Sequence, residues 1–243
     1  MTNKQRHRDG DTATRILDVA ERLAQSRGFN GFSYADVASE LRLSKAALHY
    51  HFAGKAEMGE ALISRYSDRF AAALEALDTS AIGAPAKLEG YANLYLDVLR
   101  DKRMCLCGML AAEYQTLPQR MRDAVIQFFD ANEAWLQRVV DQGQQQGTLH
   151  VVGSSTETAR AIVGGLEGAM LVARPYGDVT RFQAATRHLL AGLIAGPIAH
   201  DGLTDGYSFD FATARRGHIW ALAGSGQLAT QGVACRGSAR IDL

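Results

Sequence analysis

The sequence predicts an all-α protein. Apolar residues recur at spacings of three and four along most of the chain, and its four prolines fall between the helix-forming stretches. Short β-branched alternation occurs near residues 149–152 and is too brief to found a sheet. With 243 residues, 47% of them hydrophobic, the chain can bury a substantial core. No internal repeat is visible, which disfavours a solenoid.

The N-terminal quarter predicts three helices. The first covers residues 12–27, where a buried stripe has helical spacing, and it stops at Gly28. The second covers residues 33–41 and opens with Ser33 and Asp36 in the positions of a capping box. The third covers residues 44–50 and carries Leu48 inward. The remaining predicted helices cover residues 55–77, 85–100, 104–116, 118–145, 155–174 and 178–195.

Composition and charge exclude several classes of protein. The 26 basic and 26 acidic residues give no net charge, and a surplus of three positive charges over residues 1–55 permits a DNA-binding surface without arguing for one. The longest nearly uncharged apolar stretch, residues 188–200, is too short to cross a membrane, and no signal peptide opens the chain, so we expect a cytoplasmic protein. Three cysteines are too few for a disulfide scaffold.

Two short helices joined by a tight turn, residues 33–41 and 44–50, have the dimensions of a helix-turn-helix. Small side chains on the second helix allow close approach to base edges, and its basic and aromatic side chains can donate to phosphates or bases. The two serine caps leave backbone N–H groups free to face anions. The candidate DNA-binding residues are Ser33, Tyr34, Ser44, Lys45, Ala46, Ala47, His49, Tyr50, His51 and Lys55.

Residues 28–55, GFNGFSYADVASELRLSKAALHYHFAGK, resemble the tetracycline-repressor-like (TetR-type) family of bacterial transcriptional regulators. The resemblance implies an all-helical homodimer in which each subunit places one recognition helix in the major groove of an operator. It also implies a variable C-terminal domain that binds a small effector. We therefore expect a DNA-binding helix-turn-helix domain over residues 1–54 and an effector-binding and dimerisation domain over residues 55–200. Residues 201–243 hold seven glycines and no sustained period, which predicts a poorly ordered tail.

Two residues depart from the family pattern. Arg42 stands where the family commonly has Gly, at a cost of about 1 kcal/mol if the turn there is left-handed. His49 replaces a Tyr that usually contacts phosphate, which would make DNA binding more dependent on pH. Alternative interpretations stay open for His51, as a hydrogen-bonded core residue, and for Lys55, as the solvated start of the next helix. Residues 6–8 could form a minor-groove arm, although we favour a solvated tail.

The C-terminal half carries weaker signals. Residues 103–110, followed by Glu113, resemble a Cys-Leu-x-Gly-x-Leu stretch found in a subset of the family, and residues 164–169 resemble its penultimate helix. Small residues there allow close helix crossing, which suits a dimeric four-helix bundle built from residues 155–174 and 178–195. Ordinary packing within one subunit is the alternative.

The density of aromatic and Met side chains suggests an effector pocket between the middle helices, although most such residues are plain core. Its candidate lining residues are Tyr91, Tyr95, Cys105, Met109, Tyr114, Phe128, Trp135 and Met170. Cys105 and Cys107 would be activated thiols if Lys102 and Arg103 lay beside them, but we favour buried, inert thiols. The two cysteines also fall short of a zinc site.

The sequence contains no catalytic motif that meets its structural requirements. Residues 224–229 imitate a dinucleotide fingerprint, but fewer than 20 residues follow it, which leaves no room for the rest of that fold. We therefore expect no enzyme, no cofactor and no bound metal. The leading hypothesis is a repressor that a small molecule releases from a palindromic operator. The alternatives are a thiol- or electrophile-sensing regulator acting through Cys105 or Cys107, and a helical binding protein without a DNA role.

Overall fold

The computed structural model describes residues 3–80 and 83–194, with side chains from residue 11 onward. Its described part is helical and contains no strand. The predicted tail, residues 201–243, lies outside the described residues. The helices are α1 Asn3–Arg27, α2 Tyr34–Leu41, α3 Lys45–His51, α4 Lys55–Thr79, α5 Ala84–Arg100, α6 Leu106–Ala112, α7 Gln119–Gln145, α8 Ser155–Ala173 and α9 Val179–Ile194, with 3₁₀ turns at Tyr114–Thr116 and Arg174–Tyr176.

Two predicted segments were wrong. Helix α1 begins at Asn3, nine residues before the predicted start at residue 12, so residues 6–8 continue the helix instead of forming a disordered tail. The helix predicted over residues 104–116 is shorter than expected, because Cys105 adopts a non-helical backbone (φ −50°, ψ 129°) and its sulfur caps α6 by accepting the N–H of Gly108. A separate 3₁₀ turn follows the end of α6.

Helices α1, α2 and α3 form the N-terminal part of the fold around a small apolar core. Val37 and Leu48 are fully buried there, and Leu41 and Leu43 pack against the core from its edge. This burial on the inner side of α2 and α3 fixes their orientation, because only one stripe of each short helix is apolar. The opposite side of α3 consequently faces solvent.

Helix α4 connects this part to the remainder of the chain. It packs against α1 and α7, and Arg65 of α4 forms ion pairs with Asp18 (2.7 Å) and Glu21 (2.8 Å) of α1. Helix α7 packs against α4, α5, α6 and α8, while α9 packs against α5 and α8. The short α6 contacts α1, α4 and α7, so it lies at the junction between the N-terminal helices and the C-terminal bundle.

No helix among residues 3–80 and 83–194 is long and apolar enough to cross a lipid bilayer.

Candidate DNA-binding surface and effector-binding interior

The starts of α2 and α3 have the capping geometry that the sequence predicts. The Ser33 hydroxyl accepts the N–H of Asp36 at 3.3 Å, and the Asp36 carboxylate accepts the N–H of Ser33 at 2.6 Å. The Ser44 hydroxyl accepts the N–H of Ala47 at 3.1 Å and starts α3. Arg42 is left-handed (φ 55°, ψ 39°), as expected for a position where the family usually has Gly.

The outer side of α3 is open to solvent. Lys45, Ala46 and His49 are exposed, and Tyr50 exposes 63% of its surface. Lys45 has no hydrogen bond or ion pair with another residue in the described part of the chain. The Tyr50 ring meets the His51 ring edge-on, with centroids 5.2 Å apart, and α3 thus presents a basic and an aromatic side chain to solvent. Ala47 and His51 are half-buried.

Tyr34 and His49 support this surface from one side. Their rings stack with centroids 5.0 Å apart, and the Tyr34 hydroxyl donates to the carbonyl of Phe52 at 2.9 Å. Burial, reinforced by Glu57, raises the pKa of Tyr34 to about 12, so its hydroxyl stays neutral. The His49 Nδ1 lies 3.1 Å from the carbonyl of Ala53, and a hydrogen bond there makes Nδ1 the donor. A neutral His49 ring then has no second N–H to offer a phosphate.

Lys55 does not extend toward solvent. Its Nζ donates to the carbonyls of Phe29 and Phe32, and it lies 4.5 Å and 4.3 Å from the centroids of their rings. Burial lowers the pKa of Lys55, against the opposing influence of Glu113 and Asp36. The Lys55 amine therefore holds the start of α4 against the loop before α2. This role replaces both sequence-based interpretations of the residue, as a phosphate donor and as a solvated helix start.

Six of the eight predicted effector residues come together in the interior of the C-terminal bundle. Tyr91 stacks on Trp135 with ring centroids 5.7 Å apart, and its hydroxyl donates to the Oδ1 of Asn132 at 3.1 Å. Phe70, which the sequence did not single out, joins these rings from α4. The six are Tyr91, Tyr95, Cys105, Phe128, Trp135 and Met170, all buried.

The other two predicted effector residues lie outside this cluster. The sulfur of Met109 is 3.2 Å from a guanidinium nitrogen of Arg174, and the ring of Tyr114 lies under Arg122. Both side chains are half-buried. Neither residue therefore joins the interior rings in this structure.

The cysteines lie in the same interior, in surroundings that suppress their reactivity. Burial and the neighbouring Glu167 raise the pKa of the Cys105 and Cys107 thiols well above the ordinary value. Arg103 pairs instead with Asp101 and does not activate them. Because the thiolate is the reactive form, the activated-thiol interpretation loses its physical basis.

Glu167 of α8 is a charged residue of this interior that the sequence analysis did not identify as functional. Its carboxyl is hydrogen-bonded to the Cys105 thiol and packs directly on the backbone of Gly108, where any Cβ would clash with it. Burial raises the pKa of Glu167 to about 7. A signal was present, since Glu167 is the single charged residue between Arg160 and Arg174. An acid within an otherwise apolar helical stretch is a departure from ordinary patterning.

A groove of about 570 Å³ lies elsewhere, between α5 and α9. Apolar side chains of both helices line it, among them Leu96, Phe182 and Leu190, and the charged residues Glu89 and Arg187 also border it. None of the eight predicted effector residues lines this groove.

Helix α6 connects the interior to the N-terminal helices through Glu113, which follows its last turn. The Glu113 carboxylate accepts the backbone N–H groups of Phe29 (2.7 Å) and Asn30 (3.2 Å) in the loop before α2. The guanidinium of Arg174, after α8, also donates to the carbonyl of Ser26 at the end of α1. Hydrogen bonds from the ends of α6 and α8 therefore hold the segment that leads into the helix-turn-helix.

Two family descriptions match the chain, and solved structures match it over most of its length. "Bacterial regulatory proteins, tetR family" matches residues 16–62, and "Tetracyclin repressor-like, C-terminal domain" matches residues 84–189. A TetR-family transcriptional regulator from Agrobacterium tumefaciens is 30% identical with a TM-score of 0.74, over 77% of this chain and 100% of that one. The chain belongs to the TetR family.

Further relatives agree with this assignment. A TetR transcriptional regulator from Legionella pneumophila is 32% identical with a TM-score of 0.68, over 74% of this chain and 95% of that one. The HTH-type transcriptional repressor NemR of Escherichia coli K12 is 24% identical over 196 residues, which are 79% of this chain and 98% of NemR. The chain is accordingly a DNA-binding transcriptional regulator and not an enzyme.

Regulators of the TetR family act as dimers, and α8 presents an open face suited to that assembly. A Cβ placed at Gly164 or Gly168 would meet nothing within 4 Å, and Leu171 and Val172 expose 60% and 61% of their surface. An apolar face with small residues permits close approach of a second helix.

Proposed function

We propose that this TetR-family chain is a repressor that binds a palindromic operator as a homodimer in the cytoplasm and is released by a small molecule. The observation that carries the proposal is the open outer side of α3, with Lys45 and Tyr50 directed to solvent beside two alanines. A dimer presents two such helices, which can enter successive major grooves about 34 Å apart. Residues 1–54 then serve as the DNA-binding domain and residues 55–200 as the effector-binding and dimerisation domain.

Release follows from the contacts of α6. An effector that enters the buried aromatic cluster displaces side chains there, and the cluster reaches α6 through the hydrogen bond from the Tyr66 hydroxyl to the Cys105 sulfur that caps this helix. Glu113 transmits that displacement to the loop before α2, whose backbone N–H groups it holds. Effector binding thereby favours a dimer whose recognition helices no longer match the operator spacing.

The proposal is tested by a gel-shift titration of the full-length protein on DNA upstream of its own gene. We expect binding that prefers this DNA over a scrambled sequence of equal length and that weakens steeply as salt rises. An effector screen read out by release from the same DNA then identifies the ligand. Binding without sequence preference or without salt dependence would contradict the repressor and favour the helical binding protein.

A further inference from the structure

Glu167 is a partly buried acid whose charge, when its carboxyl is ionised, no described residue neutralises. Its Oε1 is shielded from solvent and has no hydrogen-bond partner among the described residues. No described lysine, arginine or histidine forms an ion pair with the carboxylate, and the Cys105 thiol is the group that favours its charged form. Ionising a carboxyl with so little compensation is unfavourable, so this charge does not contribute to folding.

The polar groups around Glu167 already have their hydrogen bonds elsewhere. The Tyr66 hydroxyl of α4 donates to the Cys105 sulfur at 3.6 Å, and the Tyr91 hydroxyl of α5 donates to Asn132. Asn132 in turn donates to the carbonyl of Phe128 at 2.7 Å. These hydroxyl and amide groups have their hydrogen bonds without the Glu167 Oε1, which is open to a donor from outside the described residues.

We propose that Glu167 recognises the charge of the effector, and that the effector is a hydrophobic molecule with a protonated amine. The amine would supply both the missing hydrogen-bond donor and the missing positive charge, and aromatic faces also attract cations. An uncharged alcohol would satisfy Oε1 but leave the carboxylate without a counter-ion. This inference rests on the proposed function, because it names the ligand class of the same effector site.

The position of Glu167 connects ligand recognition to α6. The carboxyl lies against Gly108, which has no side chain that could hold it away from the helix. A carboxylate that turns to meet an amine leaves this contact, and α6 is then free to shift. The contacts of Glu113 with Phe29 and Asn30 carry the shift to the loop before α2.

The experiment measures direct binding without DNA, through the fluorescence of Trp135. Of the two tryptophans in the chain, Trp220→Phe removes the other. The probes are 2-phenylethylamine, 4-phenylbutylamine and dibenzylamine, each compared with the uncharged alcohol of matching size. We expect the amine to bind at least tenfold more tightly than its alcohol in at least one pair. Glu167→Gln should abolish this preference and leave the affinity for the alcohol within about twofold.

Two further variants support the test. Glu75→Gln removes an exposed acid of α4 and should leave the amine preference unchanged. Glu167→Asp retains the charge with a shorter reach, and should weaken amine binding while keeping the preference over the alcohol. The inference is overturned if no amine outperforms its alcohol, if no probe binds, or if Glu167→Gln keeps the preference.

The outcome for the proposed function is read separately, from release of the upstream DNA. If the amines bind through Glu167 but the protein never binds that DNA, the inference about the ligand is supported and the proposed repressor function is contradicted. If other compounds release the protein from the DNA, while no amine binds more tightly than its alcohol, the repressor function is supported and the assigned ligand class is contradicted.

Discussion

The outer side of α3 and the interior around Glu167 use polar groups in opposite ways. On α3, Lys45 and Tyr50 remain solvated, and their placement follows from a short motif with caps at fixed positions. In the interior, the Oε1 atom of Glu167 is shielded from solvent where α6 and α8, which are far apart in the sequence, pack together. The comparison teaches that a local surface motif can be recognised from sequence, whereas a buried site depends on tertiary neighbours.

Substitutions on the outer side of α3 give the largest expected effect, a loss of operator binding. Lys45→Ala or Tyr50→Ala should weaken operator binding by roughly 10- to 100-fold, because each removes a contact worth about 1–3 kcal/mol per subunit. Fluorescence anisotropy on the operator measures this loss, and sedimentation should show an intact dimer. Arg138→Ala, on an exposed position of α7, is the matched control. Loss of the dimer in either α3 variant would mean that the recognition helix is misplaced.

The raised pKa of Glu167 predicts that the stability of the protein depends on pH. The pKa of Glu167 is raised from 4.5 to about 7 in the folded protein, so between these values ionisation favours the unfolded chain. Stability from this group is fully present below pH 4.5 and falls as the pH rises to 7. Glu167→Gln should therefore gain about 3 kcal/mol in free energy of unfolding relative to wild type between pH 4.5 and pH 8.

Urea unfolding of both proteins at several pH values measures this difference. The other groups that face Glu167 are Tyr66 of α4, Tyr91 and Tyr95 of α5, and Cys105 and Cys107 of α6, and burial raises the pKa of each. They remain protonated over this range, so they do not mask the effect. A difference between the two proteins that stays constant with pH would show that Glu167 is not buried as described.

Gly108 tests the contact between α6 and Glu167. Gly108→Ala should displace the Glu167 carboxyl, which the added methyl group overlaps, and should lower the free energy of unfolding by about 1 kcal/mol. Gly83→Ala is the control, since its Cβ would meet the nearest atom, Pro85 Cδ, at an ordinary 3.8 Å. Adding Glu167→Ala to the Gly108 variant should recover most of the loss. Equal effects at positions 108 and 83 would contradict the packing.

The smallest expected effect concerns the thiols. Iodoacetamide should alkylate Cys105 and Cys107 more than tenfold more slowly than free cysteine at pH 8, because burial and Glu167 disfavour their thiolates. Mass spectrometry of the Cys235→Ser variant measures this rate. Replacing Cys105 and Cys107 by Ser should leave release by active compounds intact. Rapid alkylation, together with release that depends on these cysteines, would restore the thiol-sensing alternative.

The sequence predicted much of this fold, while its assignment of DNA-binding and effector residues stays a prediction. The boundaries of α2 and α3 were accurate to one residue, because Ser33 and Ser44 cap them locally. The helix over residues 104–116 was not, since its break depends on a sulfur cap and on Glu113, whose partners are more than 80 residues away in the sequence. Lys55 was misassigned for the same reason: the carbonyls that bind its amine belong to a distant loop.

The density of aromatic and Met side chains predicted an effector pocket, and six of its eight residues are buried, but this density gave no means of separating core from ligand contacts. Its residues form ring contacts and hydrogen bonds with one another, as core residues do. Glu167 differs because one of its oxygens has no partner among the residues that the structure describes, a property that exists only once α6 and α8 are packed. Periodicity cannot show this, since it orders residues along one helix and not between helices.

The central claim, that the outer side of α3 contacts DNA, is tested most directly by cleavage from a fixed point on that helix. A DNA-cleaving iron chelate is attached at Ala46→Cys, an exposed position, in a Cys235→Ser background. We predict two clusters of cuts in the operator, related by its dyad and centred about 34 Å apart in the major groove. Cuts scattered along the DNA, or no more cutting than from a chelate at Gly147→Cys, would contradict the account.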